Sequence, residues 1–141
     1  MIPLTVRSSY SLMWGTSYVK QVCLTAKRLG YNRLALTDTD NLYGLWPFLR
    51  TCKREGLTPI VGAEVTDPHR KQRAVCLVED DNGYRNLCRL LTRHHMDEDF
   101  DLQAVLPHYA TGLVVLTQNA DFLQAWYAAG VTVAAAMPRT P

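Results

Sequence analysis

The sequence predicts an α/β fold of mainly parallel strands alternating with helices. Three observations carry this: short apolar runs of strand length, amphipathic stretches at helical spacing between them, and polar or glycine-containing clusters where one gives way to the other. Val19, Val22, Cys23, Ala26 and Leu29 recur at helical spacing, with Thr16 placed to cap the helix and Gly30 placed to end it. Leu34-Ala35-Leu36-Thr37 is a buried-strand pattern, closed by the polar turn Asp38-Thr39-Asp40-Asn41. A helix is expected from Leu42 to Glu55, ended by Gly56, and a strand from Pro59 to Val65. Further strands fall at Ala74 to Val78, Leu113 to Thr117 and Val131 to Ala136. Helices are expected at Asn82 to His95, with Tyr84, Leu87, Cys88 and Leu91 on one face, and at Asp121 to Ala129. The polar stretches Thr66 to Arg73 and Met96 to Asp101 read as linkers too short to separate domains, so residues 1–141 are expected to form a single domain.

Composition narrows the class. With 48% hydrophobic and 20% charged residues among 141, the chain has the balance of an ordinary globular domain. Fifteen basic residues against 13 acidic give a net charge of +2, too mild to announce a nucleic-acid surface. Cys23, Cys52, Cys76 and Cys88 contain no C-x-x-C pair and sit mostly among apolar neighbours, as buried free thiols of a reducing cytoplasm do. No run approaches the ~20 apolar residues of a membrane span, and the first residues lack a signal-peptide pattern.

In a parallel α/β sheet the chemistry gathers at the C-terminal ends of the strands. Three such ends carry polar residues: Arg7-Ser8-Ser9-Tyr10-Ser11 after a first strand, Asp38-Thr39-Asp40 after the second, and Glu64 near the end of the third. Asp38, Asp40 and Glu64 could hold a divalent cation through oxygen, although the set lacks the imidazole that zinc and manganese sites usually employ. The alternative is structural: Asp38 caps the next helix, Asp40 and Asn41 form a turn, and Glu64 pairs with a basic residue such as Arg7. His94 and His95 point about 100° apart on a helix and read as a solvated helix end. His69 and His108 read as surface residues, and Trp14, Trp46, Trp126, Tyr10, Tyr43, Tyr84 and Tyr109 as packing aromatics rather than base-stacking platforms.

The segment Ala35-Leu36-Thr37-Asp38-Thr39-Asp40-Asn41-Leu42-Tyr43-Gly44 resembles the second motif of the polymerase and histidinol phosphatase (PHP) domain of bacterial DNA polymerase III alpha subunits, where Leu-Thr-Asp-His-Gly-Asn-Leu-Tyr-Gly is typical. Pro59 to Val65 is similar to the family's Gly-x-Glu strand, and Asn82-Gly83-Tyr84-Arg85-Asn86-Leu87 to its Gly-Tyr-x-Asn-Leu helix, which marks the polymerase branch. Ser9 to Gly15 resembles the end of a first motif that opens with His-x-His. The resemblance runs from about Leu4 to Thr117 and covers the first part of a family PHP domain.

The resemblance implies a partial, distorted (β/α)7 barrel and a trinuclear metal site able to hydrolyse phosphoesters, including 3′–5′ exonuclease proofreading in some members. It also implies that in other members the site has decayed and the domain supports the polymerase. Here the matched histidine positions hold Thr5, Arg7 and Thr39, while Asp38 and Glu64 stand at positions matching family ligands. A fixed guanidinium at Arg7 opposes cation binding. The expectation is therefore a degenerate metal site with no catalytic residue and no cofactor, or zinc or manganese if any is held. The expected role is structural, in DNA replication, with the rest of a polymerase alpha subunit or other replication proteins as partners. DNA contact through Arg7, Arg70, Lys71 and Arg73, a homo-oligomer covering an open sheet edge, and a metal-dependent phosphoesterase or exonuclease are the competing readings.

Overall fold

The computed structural model describes residues 2–11, 15 and 17–137. The chain divides into two compact units, Met1–Ala63 and Glu64–Pro141. The strands are mostly parallel, as the repeated strand and helix alternation requires.

The first unit contains α1 (Val19–Arg28), β1 (Arg33–Thr39), α2 (Leu45–Glu55) and the start of β2 (Thr58–Thr66). α1 buries Val19, Cys23 and Ala26, spaced four and three residues apart, and α2 buries Leu45, Phe48, Thr51 and Cys52. The two helices pack through these stripes, bringing the Cys23 and Cys52 Sγ atoms to 4.0 Å. Burying Phe48 alone is worth about 2–3 kcal/mol. β1 is buried at five consecutive positions, the pattern of a strand covered on both faces. The N-cap of α1 is Tyr18, whose side chain makes no capping bond, and Thr16 lies outside the described residues. α2 begins at Leu45 rather than Leu42, because residues 42–44 are taken up by the turn that leaves β1.

The expected first strand is not one. Residues 3–6 lie along β1, where Ala35 N–H donates to the Pro3 carbonyl (2.9 Å) and Thr37 N–H to that of Val6 (2.7 Å). The ladder breaks because the Thr37 hydroxyl takes the Val6 N–H at 3.1 Å and Pro3 has no N–H to give.

In the second unit β2 is followed by β3 (Arg73–Val78), α3 (Asp81–Met96), α4 (Leu102–Val105), a 3₁₀ turn (Leu106–Tyr109), β4 (Leu113–Thr117), α5 (Ala120–Ala128) and β5 (Val133–Ala135). β4 and β5 are parallel, joined through α5, whereas β3 runs antiparallel to β4. Residues 67–72 are too few for the crossover that a parallel β2 and β3 would need. Asp67 organises that link: its buried carboxylate accepts the N–H groups of His69 and Arg70 (both 2.9 Å) and of Leu102 (3.0 Å). Leu102 opens α4, so the stretch read as a bare linker is tied down, with Phe100 fully buried inside it.

α3 buries Gly83, Leu87, Leu90 and Leu91, a face displaced by about one residue from the expected one; Tyr84 is exposed. Gly83 sets that rotation. A side chain there would strike the Gly112 carbonyl, and one on Gly112, at φ +80°, would strike Gly83 and Asp80 in turn. Asp80 caps α3 by accepting the Gly83 N–H at 2.8 Å, and Asn86 donates to the Thr111 carbonyl at 2.8 Å. The Gly-Tyr-x-Asn-Leu segment is thus the clamp that holds α3 on the turn before β4.

Burial pushes the Cys52 and Cys76 thiols up to about 12 and raises Cys23 as well. All four cysteines are free thiols, and only Cys88 is partly accessible. A native chain treated with a thiol-specific chromophoric disulfide at pH 8 is therefore expected to release about one equivalent, and four after denaturation. Gly83→Ala is expected to cost about 1–3 kcal/mol in denaturant unfolding, by overpacking against Gly112.

Candidate functional site

The most elaborate polar arrangement of the first unit is built around Asp38, the last but one residue of β1 and only 2% exposed. Its Oδ1 accepts the Ser8 N–H at 2.6 Å and the Ser11 hydroxyl at 2.7 Å; its Oδ2 accepts the Ser8 hydroxyl at 2.7 Å. Ser8 and Ser11 are themselves fully buried. Each hydroxyl that donates to Asp38 also accepts, Ser8 Oγ from Tyr10 N–H (3.2 Å) and Ser11 Oγ from Thr39 N–H (2.9 Å). The result is a closed relay in which a buried carboxylate and two buried hydroxyls satisfy one another and the turn backbone.

The sequence builds this locally. Asn41 extends the arrangement by donating to the carbonyls of Tyr10 and Thr39, both at 3.0 Å, while its Oδ1 accepts the Tyr43 N–H at 3.1 Å. Asp40 takes the left-handed conformation, φ 57°, that lets the chain reverse after β1. Gly44 allows close approach to Asp38: a Cβ there would stand 3.2 Å from Oδ2 and 3.1 Å from a Val19 methyl. Space beside Asp38, bounded by Asn41, Gly44 and Phe48, amounts to about 10 Å³, room for one water.

Asp38 does not cap α2, as the structural reading of the sequence had it. The N-cap of α2 is Gly44, and the Asp38 oxygens are taken by the serines, which precede Asp38 by about thirty residues and so left no local pattern. The polar turn expected at Asp40 and Asn41 is present. At the remaining positions matched to family ligands, Thr5 is exposed, Arg7 and Thr39 are half-buried, and Thr39 joins the Asp38 arrangement through its N–H.

Glu64 belongs to the second unit, where it is buried and paired with Arg73 of β3 at 3.3 Å. The expectation was a basic partner for Glu64 such as Arg7; Arg73 is a basic residue paired with it. Arg70, grouped with Arg73 as a phosphate contact, reaches Asp101 at 3.3 Å and Gln103 at 2.8 Å. His95 is exposed at the end of α3, but His94 packs edge-on against Phe100 at 4.9 Å, with Nε2 3.3 Å from Thr66 Oγ1. Among the described residues, no group of three or more His, Cys, Asp or Glu side chains is gathered as for a metal ion. Nor is any helix among them long and apolar enough to cross a membrane.

Aromatic residues divide in a way the sequence reading did not anticipate. Trp126 is fully buried, stacked on Phe122 at 4.7 Å with Nε1 donating to the Gln103 carbonyl, as packing requires. Tyr43 and Trp46 are 70% and 71% exposed, so packing does not account for them. Trp14 lies outside the described residues.

An error-prone DNA polymerase of Anaeromyxobacter sp. (strain K) is 40% identical over 99 residues, covering 67% of this chain and 9% of that protein. DNA polymerase III subunit alpha of Treponema pallidum (strain Nichols) is 32% identical over 133 residues, and that of Bacillus subtilis (strain 168) 33% over 122, each match covering 82% of this chain and 11% of the relative. The chain thus spans about a tenth of the length of these relatives. Among solved structures, a two-domain protein of Bacteroides vulgatus containing a predicted PHP-like metal-dependent phosphoesterase superposes with a TM-score of 0.59 at 14% identity, covering 82% of this chain and 33% of that one. An amidohydrolase of Chromobacterium violaceum gives 0.54 at 28% identity, covering 64% and 32%. The sequence profile of the PHP domain matches residues 3–134, past the point at Thr117 where the motifs fade, and the chain belongs to the PHP domain family.

Proposed function

We propose that this chain is a PHP module without a hydrolytic metal centre, serving a structural or interaction role in a DNA polymerase III alpha subunit or a relative of one. The observation that carries the reading is the commitment of Asp38. Three hydrogen bonds from Ser8 and Ser11, two on Oδ1 and one on Oδ2, compensate the burial of the Asp38 carboxylate without calling on a cation. The donor chemistry points the same way. Where the family resemblance expects three imidazoles, the chain offers the hydroxyls of Thr5 and Thr39, weak ligands for zinc or manganese, and the permanent cation of Arg7. Glu64 has a cation already in Arg73. These residues do not fit a multinuclear centre, and no hydrolytic step is assigned to them.

The relay does for the first unit what a bound ion does in a metal site: it pins the end of β1 to the segment running from Ser8 to Ser11. The partners inferred are the remaining parts of a polymerase or other replication proteins, since the relatives are polymerases of which the chain spans about a tenth. Three buried, protonated thiols support a reducing cytoplasm as its compartment.

Calorimetric titration with manganese and with zinc at neutral pH tests the reading, on the wild-type chain and on Glu64→Ala. No saturable heat is expected from either metal; a saturable isotherm abolished by Glu64→Ala would restore the phosphoesterase alternative. Stability gives a second check with opposite signs for the two readings. Asp38→Ala strands the buried donors of Ser8 and Ser11 and is expected to cost about 2–4 kcal/mol in metal-free buffer. A carboxylate kept for a cation would instead leave metal-free stability unchanged or improved on removal.

A further inference from the structure

The face of α2 that points away from the core carries residues the metal-site question leaves unexplained. Trp46, Arg50 and Lys53 are spaced four and three residues apart, so their side chains form one stripe, and all three are exposed. Arg54 lies one position further along the same side, and Tyr43, 70% exposed, stands in the turn just before the helix. The opposite face holds Leu45, Phe48 and Cys52 in the core. A tryptophan 71% exposed forgoes the burial its large ring offers.

Basic groups predominate along the stripe. The first turn of α2 contains no acid. The helix's one carboxylate, Glu55, is occupied by Lys27 at 3.0 Å and Arg54 at 3.5 Å, and these cations hold its carboxyl below the usual range. Arg50 and Lys53 have no ion pair among the described residues. A flat ring followed along about 10 Å of helix by two uncommitted cations matches alternating planar and anionic groups. An acidic protein segment would satisfy the cations, but its carboxylates offer no ring to stack on the indole.

We propose that this stripe binds single-stranded nucleic acid, with a base stacked on Trp46, a neighbouring base against Tyr43, and phosphates on Arg50 and Lys53. The proposal does not depend on whether Asp38 or Glu64 holds a metal, because none of its residues belongs to that arrangement.

Fluorescence anisotropy of a labelled oligothymidylate with the full chain tests it, at increasing salt and in a chelating buffer that removes metal. Binding is expected at low salt, with log affinity falling against log salt at a slope of about −1.4, as two phosphate contacts to a single strand give. Trp46→Ala is expected to weaken binding roughly tenfold or more. Arg50→Ala with Lys53→Ala should flatten the salt dependence. Tyr127→Ala, which removes an equally exposed aromatic from α5, should change nothing. Because the substituted side chains are exposed, unaltered thermal melting identifies variants whose effect is on binding. Absence of binding at low salt, wild-type affinity in a folded Trp46→Ala, or an equal loss in Tyr127→Ala would overturn the proposal. So would competition by oligoglutamate as effective as by unlabelled oligothymidylate, which would assign the stripe to an acidic protein partner.

Discussion

A carboxylate withdrawn from water must acquire a proton, a cation or a full set of hydrogen-bond donors, since leaving it bare costs several kcal/mol. Asp38 is supplied with three hydrogen-bond donors, and much of the first unit follows from where they come from. Two hydroxyls and a main-chain N–H converge on it from Ser8 and Ser11, drawing the N-terminal segment onto the end of β1. The same hydroxyls accept from Tyr10 and Thr39, so the turn after β1 and the segment beside it are specified together. Gly44 then keeps α2 close enough to seal the carboxylate from solvent.

The second unit solves a comparable problem with main-chain donors. Asp67 is equally buried and is satisfied by three main-chain N–H groups, two from its own turn and one from the start of α4. Glu64 is buried beside Arg73, a pairing of neighbouring strands. Each of the three buried acids has named donors, which is the condition for burying them at little net cost.

Elements of the fold were legible where local pattern and packing agree. The runs at Leu113 to Thr117 and Pro59 to Val65 became β4 and most of β2 because apolar strand residues in an α/β sheet have nowhere else to go. Three features were not legible. The antiparallel β3 follows from a connection length whose meaning shows only once β2 and β3 are both strands. α4 and the 3₁₀ turn are too short to carry helical periodicity, although Leu102, Val105 and Leu106 are buried. The rotation of α3 away from Tyr84 comes from the contact between Gly83 and Gly112, residues without side chains to signal it. At the candidate site, Asp38 and Glu64 stood out through motif resemblance and the polar turn through its composition. The serine partners of Asp38 could not be read, since they lie about thirty positions earlier in sequence. Trp46 was misassigned to packing because spacing alone does not reveal which face of α2 meets the core, and Tyr43 because it falls in the turn before that helix.

The central claim is that Asp38 and its serines form a unit that needs no cation. A double-mutant cycle measures this directly: chemical unfolding of the wild-type chain, Asp38→Asn, Ser11→Ala and the double variant, each in chelator and again with manganese. A coupling of about 1 kcal/mol or more between the two positions, the same in both buffers, is the result this account predicts. A coupling near zero in chelator that appears only with manganese would contradict it, and would return Asp38 to the role of a metal ligand.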